Sequence, residues 1–319
     1  MRLRDLALRT ADAICDPSIV SSFDRTGFWR HSQQFDPTDL DVDLTGRRFL
    51  VTGANSGIGF ATASALAARG ARTVLLCRSP ERAADARQRI LTAHPKAEVH
   101  IELVDLSEQA SIHALAARLA PGKIDVLVHN AGVLPARHHL TADGIEQTLA
   151  TNLVGPHLLT RLLLPRLRDS DDGRLIFVSS GGMYAEKLSV QRLVMPPERF
   201  DGVVAYARTK RALVVLAEQL SAELAGTDIT VSSMHPGWAD TPAVRTSIPT
   251  FHRITRAILR TPEQGADTVI WLAAAQAPRG QSGRFWFDRK PRRAHFVPWT
   301  RESDGERTAL MRQLEAWVR

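Results

Sequence analysis

RFLVTGANSGIGFATASALAARG, residues 48 to 70, carries an apolar run into a glycine-rich turn and then into an alanine-rich helical pattern. Glycines directly after a strand let the backbone turn tightly and approach a pyrophosphate. The charge of that group is met by the amides and positive dipole end of the helix that follows. The glycines are Gly53, Gly57 and Gly59, with Asn55, Ser56 and Ile58 among them. The spacing is G-x-x-x-G-x-G rather than G-x-G-x-x-G, and its place between a strand and a helix is the context that gives such a turn meaning.

Outward from this turn, short β-rich runs alternate with helical stretches. Candidate strands lie at 48–53, 73–77, 99–104, 125–130, 174–180, 229–234 and 283–287. Several are almost wholly apolar, as expected when helices cover both faces of a parallel sheet. The pattern predicts an α/β fold, a Rossmann-type doubly wound parallel sheet of about seven strands with helices on both faces. Residues 47–290 form the dinucleotide-binding catalytic domain on this reading. Residues 1–46 precede it as an extension in which Leu3, Leu6, Ala7, Ala11 and Ile14 recur at helical spacing. They predict a docked amphipathic helix, with a helix resting on a membrane surface as the alternative. Residues 291–319 form a C-terminal tail with a short amphipathic helix over 303–319.

With 319 residues, 44% of them hydrophobic, the chain can bury a sizeable core. Its net charge is +7, but no basic run is interleaved with aromatics, which points to scattered solvated charge and against a nucleic-acid partner. The two cysteines, Cys15 and Cys77, give neither a disulfide framework nor zinc spacing and suit a reducing compartment. His138 and His139 lack partners at metal spacing, so no metal is expected. The first fifteen residues contain Asp5 and Asp12 and lack the apolar run of a signal peptide. Nor does any segment reach about 18 apolar residues without charge. The expectation is a cytoplasmic protein with no transmembrane segment, with peripheral membrane contact left open.

The cradle from Thr52 to Gly59 resembles the T-G-x-x-x-G-x-G signature of the short-chain dehydrogenase/reductase family. So do VDLS at 104–107, HNAG at 129–132, VSSGG at 178–182, YARTK at 206–210 and HPGWADT at 235–241. The resemblance covers nearly the whole chain and leans towards the retinol-dehydrogenase-like branch. It implies a nicotinamide dinucleotide cofactor. An acid at the end of the second strand would hold the ribose 2′-hydroxyl of NAD, whereas a basic residue accommodates the 2′-phosphate of NADP. The stretch LLCRSPERA, 75–83, offers Arg78 and no acid there, so NADP(H) is expected over NAD(H), with Asn55 or Ser56 assisting. By family role, Asp105 and Leu106 meet the adenine, and Asn130, Ala131 and Gly132 lie near its ribose and steady the sheet. Pro236, Gly237 and Thr241 line the nicotinamide. His129 stands where the family usually carries Asn and is given no role.

Carbonyl reduction needs a hydride, which such a cofactor brings, and an acid to protonate the nascent alkoxide. Tyr206 and Lys210 are one helical turn apart on one face. A lysine ammonium there would favour the ionised tyrosine by charge and could hold the ribose hydroxyls. A serine hydroxyl nearby would orient the substrate carbonyl. The resemblance assigns these roles to Tyr206 as acid/base, Lys210, Ser180 and Asn152, the last supporting a water relay to the lysine. Family register selects Ser180 over Ser179, and Tyr184 is set aside because Leu188, not lysine, follows it by four. The gap from Ser180 to Tyr206 is about twice the usual family spacing, so the intervening insert reads as a substrate-side loop. Met183, Trp238 and Val244, with Ile248, Phe251 and Ile254 of the segment 241–262, are candidates for an apolar wall around Ser180. The expected partner is a hydrophobic carbonyl or alcohol. Since the family often forms dimers or tetramers, a homo-oligomer is compatible. The alternative function is a nucleotide-binding sensor or interaction protein of the same fold without turnover.

Overall fold

The computed structural model describes residues 19–318; the helix predicted over Leu3 to Ile14 lies outside them. Two short helices come first, α1 (Ile19–Phe23) and α2 (Arg25–Ser32). The alternating part then runs β1 (Arg48–Thr52), α3 (Gly57–Ala67), β2 (Arg72–Cys77), α4 (Pro80–Ala93), β3 (Val99–Leu103), α5 (Gln109–Arg118) and β4 (Val126–His129). It continues as α6 (Gln147–Leu149), a π-helical turn (Ala150–Val154), α7 (Gly155–Arg168), β5 (Gly173–Val178), α8 (Gly202–Glu223) and β6 (Ile229–Met234). The last elements are α9 (Pro242–Ser247), α10 (Pro249–Thr255), α11 (Pro262–Ala274), β7 (Arg284–Phe287), β8 (Lys290–Pro291) and α12 (Asp304–Trp317).

The strands lie in the order β3-β2-β1-β4-β5-β6-β7-β8. All pairings are parallel as far as β7, and β8 closes the edge antiparallel. The strands β1, β4, β5 and β6 are buried along their whole length; β4 and the centres of β1 and β5 accordingly read as apolar runs rather than alternating ones, while β6 buries Thr230, Ser232 and Ser233 as well. One face packs Leu50, Leu127 and Leu175 under α7, α8 and α12, and the other packs Val51, Val128 and Ile176 under α3, α4 and α11. This is the expected doubly wound sheet with one strand more than the seven anticipated. β8 has two residues, one of them proline, and no apolar alternation, so nothing in its sequence marks a strand. A two-residue turn makes it: Asp288 and Arg289 both have positive φ, 49° and 56°, the geometry that joins hairpin strands tightly.

The order reverses between β1, which feeds leftward to β2, and β4, its right-hand neighbour. In open α/β sheets the crevice beyond the strand ends at such a switch point is where ligands bind.

Candidate active site

At the end of β1 the chain turns through Gly53 and Gly57, both at positive φ. A Cβ on Gly59 would lie 2.4 Å from Asn130 Nδ2 and 2.4 Å from the Gly53 carbonyl oxygen. Only glycine lets α3 start this close to the β4 turn. Asn130 Nδ2 donates to the Thr52 carbonyl at 2.9 Å, while the Asn130 and Ala131 amides donate to Thr52 Oγ1 at 2.9 and 3.0 Å. These bonds rivet β4 to β1 beneath the crevice. Ser56 occupies the N-cap of α3 yet makes no side-chain bond to its amides, whereas Ser79 caps α4. The first amides of α3 therefore stay open to an anion, as a pyrophosphate site requires. Across the crevice, Thr241 Cγ2 would lie 3.2 Å from a Cβ on Gly57, so the turn after β6 closes on the cradle. These features fit a dinucleotide.

Arg78 projects from the end of β2 with 64% of its side chain exposed and Nη1 3.5 Å from Asp105 Oδ2. The other Asp105 oxygen accepts from the Ser107 amide at 2.9 Å and hydroxyl at 2.6 Å. Two expected contacts are limited to main-chain atoms: Leu106 buries its side chain in one core, and Ile58 packs its own against the other.

The remaining groups converge past the ends of β4 and β5. Asp201 caps α8 by accepting from the amides of Val203 and Val204, which starts the helix so that Tyr206 and Lys210 face the crevice. Lys210 is 2% exposed. Its Nζ donates to the Val178 carbonyl at 2.9 Å and sits 5.5 Å from the centre of the Tyr206 ring. A Cβ on Gly132 would be 3.2 Å from Nζ and 3.4 Å from Asn152 Oδ1, so lysine, amide and glycine meet at one point. Asn152 is held firmly. Its Oδ1 accepts from the Val133 amide at 2.8 Å, and Nδ2 donates to Val133 O at 3.0 Å and to Thr209 Oγ1 at 3.2 Å. The π-helical turn around it ends at Gly155-Pro156, and Pro156 has no N–H to return to the Asn152 carbonyl four residues back.

Burial pushes the Lys210 ammonium down to about 8. Burial also pushes the Tyr206 phenol up, with the Ser180 hydroxyl opposing as a hydrogen-bond partner. The direction for Tyr206 is therefore upward, set by its removal from water, where the sequence led to an expected lowering by Lys210. Ser180 caps the short 3₁₀ turn Gly181–Ala185 and is half-buried. Ser179, by contrast, spends its hydroxyl on the Lys210 carbonyl at 2.7 Å and acts as a fastener of α8. Pro236 and Gly237 follow β6, Gly237 at φ 73°, pressed so closely on Arg260 that a Cβ would lie 2.5 Å from Nε.

The apolar wall differs from expectation in three places. Met183 is fully buried in a cluster with Phe23, Tyr184, Val214, Phe285 and Phe287, so it is core and not lining. Ile254 is 75% exposed and points to solvent. The insert before Tyr206 puts Leu188 and Leu193 into the core beside Leu310 and Leu314, and its Val190 amide donates to Glu306 of α12 at 2.8 Å. Most of it is therefore a packing spacer between α8 and α12. Its last turn sets Phe200 edge-on to His138 at 5.4 Å. Trp238 stays half-buried, edge-on to Phe23 and Phe251, and Val244 stays half-buried on α9. His129 is buried, with Nε2 2.8 Å from Thr160 Oγ1, and its ring stacks on Phe177. Sequence reading missed Arg260, which donates to the carbonyls of Asp24 and Ser22 and pairs with Asp288. It stands just before the Thr261 cap of α11, where an arginine ordinarily faces solvent, so no local signal marked it.

A family model described as short chain dehydrogenase matches residues 47–250. Bovine dehydrogenase/reductase SDR family member 12 is 41% identical over 303 residues, covering 94% of this chain and 95% of that protein. Human retinol dehydrogenase 11 is 35% identical over 253 residues, covering 77% and 79%. Among solved structures, one from Escherichia coli CFT073, described as a short chain dehydrogenase complexed with NADPH, superposes with a TM-score of 0.63. It shares 26% identity and covers 80% of this chain and 100% of that one.

Proposed function

The chain belongs to the short-chain dehydrogenase family, and from that premise we propose that it interconverts a carbonyl and an alcohol on a hydrophobic small molecule with NADP(H). The observation that carries this reading is the pairing of a buried Lys210 with a half-buried Tyr206 one turn away, beside the Ser180 hydroxyl. A binding module has no use for an ammonium held out of water against a phenol. When bound, the dinucleotide supplies the hydride for reduction or accepts it for oxidation.

In reduction, Ser180 donates a hydrogen bond to the substrate carbonyl oxygen and orients it. Tyr206, kept protonated by burial, gives its phenolic proton to the oxygen as negative charge develops there. The Lys210 ammonium stabilises the resulting phenolate. The Asn152 carbonyl, to which Pro156 has no N–H to donate, offers an acceptor for a water that would carry a proton from solvent to Lys210 once the lysine has passed its own to the Tyr206 phenolate. The NADP(H) preference rests on Arg78 at the end of β2 and on the NADPH held by the E. coli relative. A lipid, steroid or retinoid-like substrate fits the half-buried Trp238, Val244 and Phe251 and the likeness to retinol dehydrogenase 11. A cytoplasmic location goes with this reading; among the described residues no helix is long and apolar enough to cross a membrane.

The test is Tyr206→Phe assayed with NADPH against a panel of hydrophobic ketones and aldehydes. Turnover should fall at least ~100-fold, the scale of a positioned general acid, with NADPH binding retained. Unchanged turnover in the variant would remove Tyr206 from the chemistry. Binding of NADPH with no carbonyl reduced by the wild type would favour the sensor reading.

A further inference from the structure

The segment 241–262 carries Arg245, His252, Arg253, Arg256 and Arg260 and not one acidic residue. Three of these are engaged: Arg260 is buried on Asp288, while Arg245 and His252 meet Asp240 at 2.8 and 3.2 Å. Arg253 and Arg256 remain, both exposed and without an ion pair among the described residues. Between them Ile254 stands 75% exposed. The helix α10 runs on past Thr255, since the Arg256 and Leu259 amides donate to the His252 and Thr255 carbonyls at 2.8 and 3.1 Å. Ala257, also exposed, therefore shares the outer face of Ile254. The inner face is spent on Phe251, which packs edge-on to Trp238 at 5.4 Å.

α2 continues this surface. The Arg25 amide donates to the Ile258 carbonyl at 2.9 Å, one turn past Ile254, and Arg260 fastens the Asp24 carbonyl at 3.0 Å. Trp29 is 63% exposed and stands one helical turn from the exposed Arg25. Ile254 and Trp29 thus lie each about one turn from the same main-chain bond. The stretch RTGFWRHSQQF, 25–35, again contains no acid. Asp24 and Asp240, which precede the two segments, are occupied, Asp24 by the amides of Thr26 and Gly27 and Asp240 by Arg245 and His252. A single apolar side chain at a surface is ordinary. A tryptophan and an isoleucine set among three uncompensated arginines make a surface suited to anionic lipid, where cations meet head groups and the apolar tips enter the interface. A nucleic acid would use the arginines and leave Ile254 in water.

We propose that α2 and the outer face of α10 form a docking face for an anionic lipid bilayer. Arg25, Arg253 and Arg256 engage the acidic head groups, and Ile254 and Trp29 enter the interface. Docking requires no bound dinucleotide. On the reaction proposed above, α10 would then have lipid on its outer face and the wall residue Phe251 on its inner one, giving an apolar substrate a path that avoids water. That consequence, unlike the docking, rests on the proposed reaction.

The test is sedimentation of the full chain with vesicles of phosphatidylcholine, either pure or with about one third phosphatidylserine to supply the negative surface. Binding should require phosphatidylserine and fall as salt rises. Arg253→Gln and Arg256→Gln should each weaken it about 5-fold, the scale of one arginine near such a surface. Ile254→Ser and Trp29→Ser should each weaken it roughly 10-fold, the scale of an apolar side chain left in water. Trp299→Ser and Arg312→Gln, exposed ahead of α12 and on it, should bind as the wild type does. All six positions are exposed, so the variants fold and every result can be read. No binding to the mixed vesicles overturns the proposal, as does equal binding to pure phosphatidylcholine. So do arginine losses with Ile254→Ser and Trp29→Ser unmoved, the mark of an ionic site for a soluble polyanion such as nucleic acid. Losses in Trp299→Ser or Arg312→Gln as large as the others would move the contact to α12 and overturn it too.

Discussion

Arg78 meets Asp105 at 3.5 Å with most of its side chain in water, and an exposed pair of this kind is worth little and yields readily to a better anion. A ribose phosphate supplies one. Arg78→Gln should weaken NADPH binding about 10–100-fold, the scale of a charge-assisted hydrogen bond, and leave NADH nearly unmoved; equal losses for both cofactors would detach Arg78 from the phosphate. Lys210 sets a pH dependence. With its ammonium pushed down to about 8, the charge that stabilises a Tyr206 phenolate disappears as pH rises through that value. Tyr206 itself is pushed up and stays protonated, so kcat/KM for reduction should fall above about pH 8, and Lys210→Met should lack that limb. Stability moves the other way. Between about 8 and the ordinary 10.5, the unfolded chain holds a proton that the folded chain lacks, so folding gains with pH there. At this scale the Tyr206–Lys210 pair is legible because one helical turn fixes its spacing, whereas Ser180 and Asn152 rest on family resemblance alone. Arg260 is not legible, because what defines it is a partner from a distant hairpin.

Elements were legible where one period ran through them. The apolar runs of β1, β4 and β5 declare burial on both faces, and the helices between them follow. The insert before Tyr206 has no such period. It reads as a substrate-side loop until Leu310 and Leu314 of α12 arrive beside its Leu188 and Leu193 from more than a hundred residues on. The π-helical turn around Asn152 is equally silent, although Gly155-Pro156 after it marks where the helical ladder must be interrupted. The start of α8 is a local matter and can be tested locally. Asp201 accepts from two amides at 2.9 and 3.0 Å on the exposed side of the helix. Asp201→Ala should cost about 1 kcal/mol in urea unfolding. It should change kcat little, because Lys210 and Thr209 still anchor the helix one turn on through Val178 O and Asn152. A large loss of kcat with unchanged stability would mean that the cap, rather than those anchors, aims Tyr206.

Across the whole molecule, two appended pieces grip the sheet from its outer parts. α12 lays Leu310 and Leu314 into one core and pairs Glu315 with Arg161 at 3.0 Å. At the β7 edge α1 and α2 are bound through a buried set of charges. Arg260 reaches the Ser22 and Asp24 carbonyls, and Asp288 receives both Arg260 and His31. The His31–Asp288 contact spans 257 residues of chain, so no reading of local pattern could foresee it. Asp288 also sits at φ 49°, a conformation that costs about 1–3 kcal/mol outside glycine and persists where surrounding bonds impose it. The same assembly reaches the crevice, since the Phe23 carbonyl accepts from the Trp238 amide at 2.8 Å, one residue past Gly237. Asp288→Asn keeps a side chain that tolerates this backbone but leaves Arg260, 1% exposed, without its counter-charge. Breaking one side of a buried pair costs about 3–5 kcal/mol, and the loss should appear in urea unfolding together with new protease cleavage within residues 19–46. Because Trp238 then loses a fixed partner, KM for NADPH should rise more than kcat falls. A variant that unfolds at the wild-type midpoint would show that the helices ahead of the sheet are held without the charge of Asp288, by the bonds to the Ser22, Phe23 and Asp24 carbonyls and by packing of Phe23.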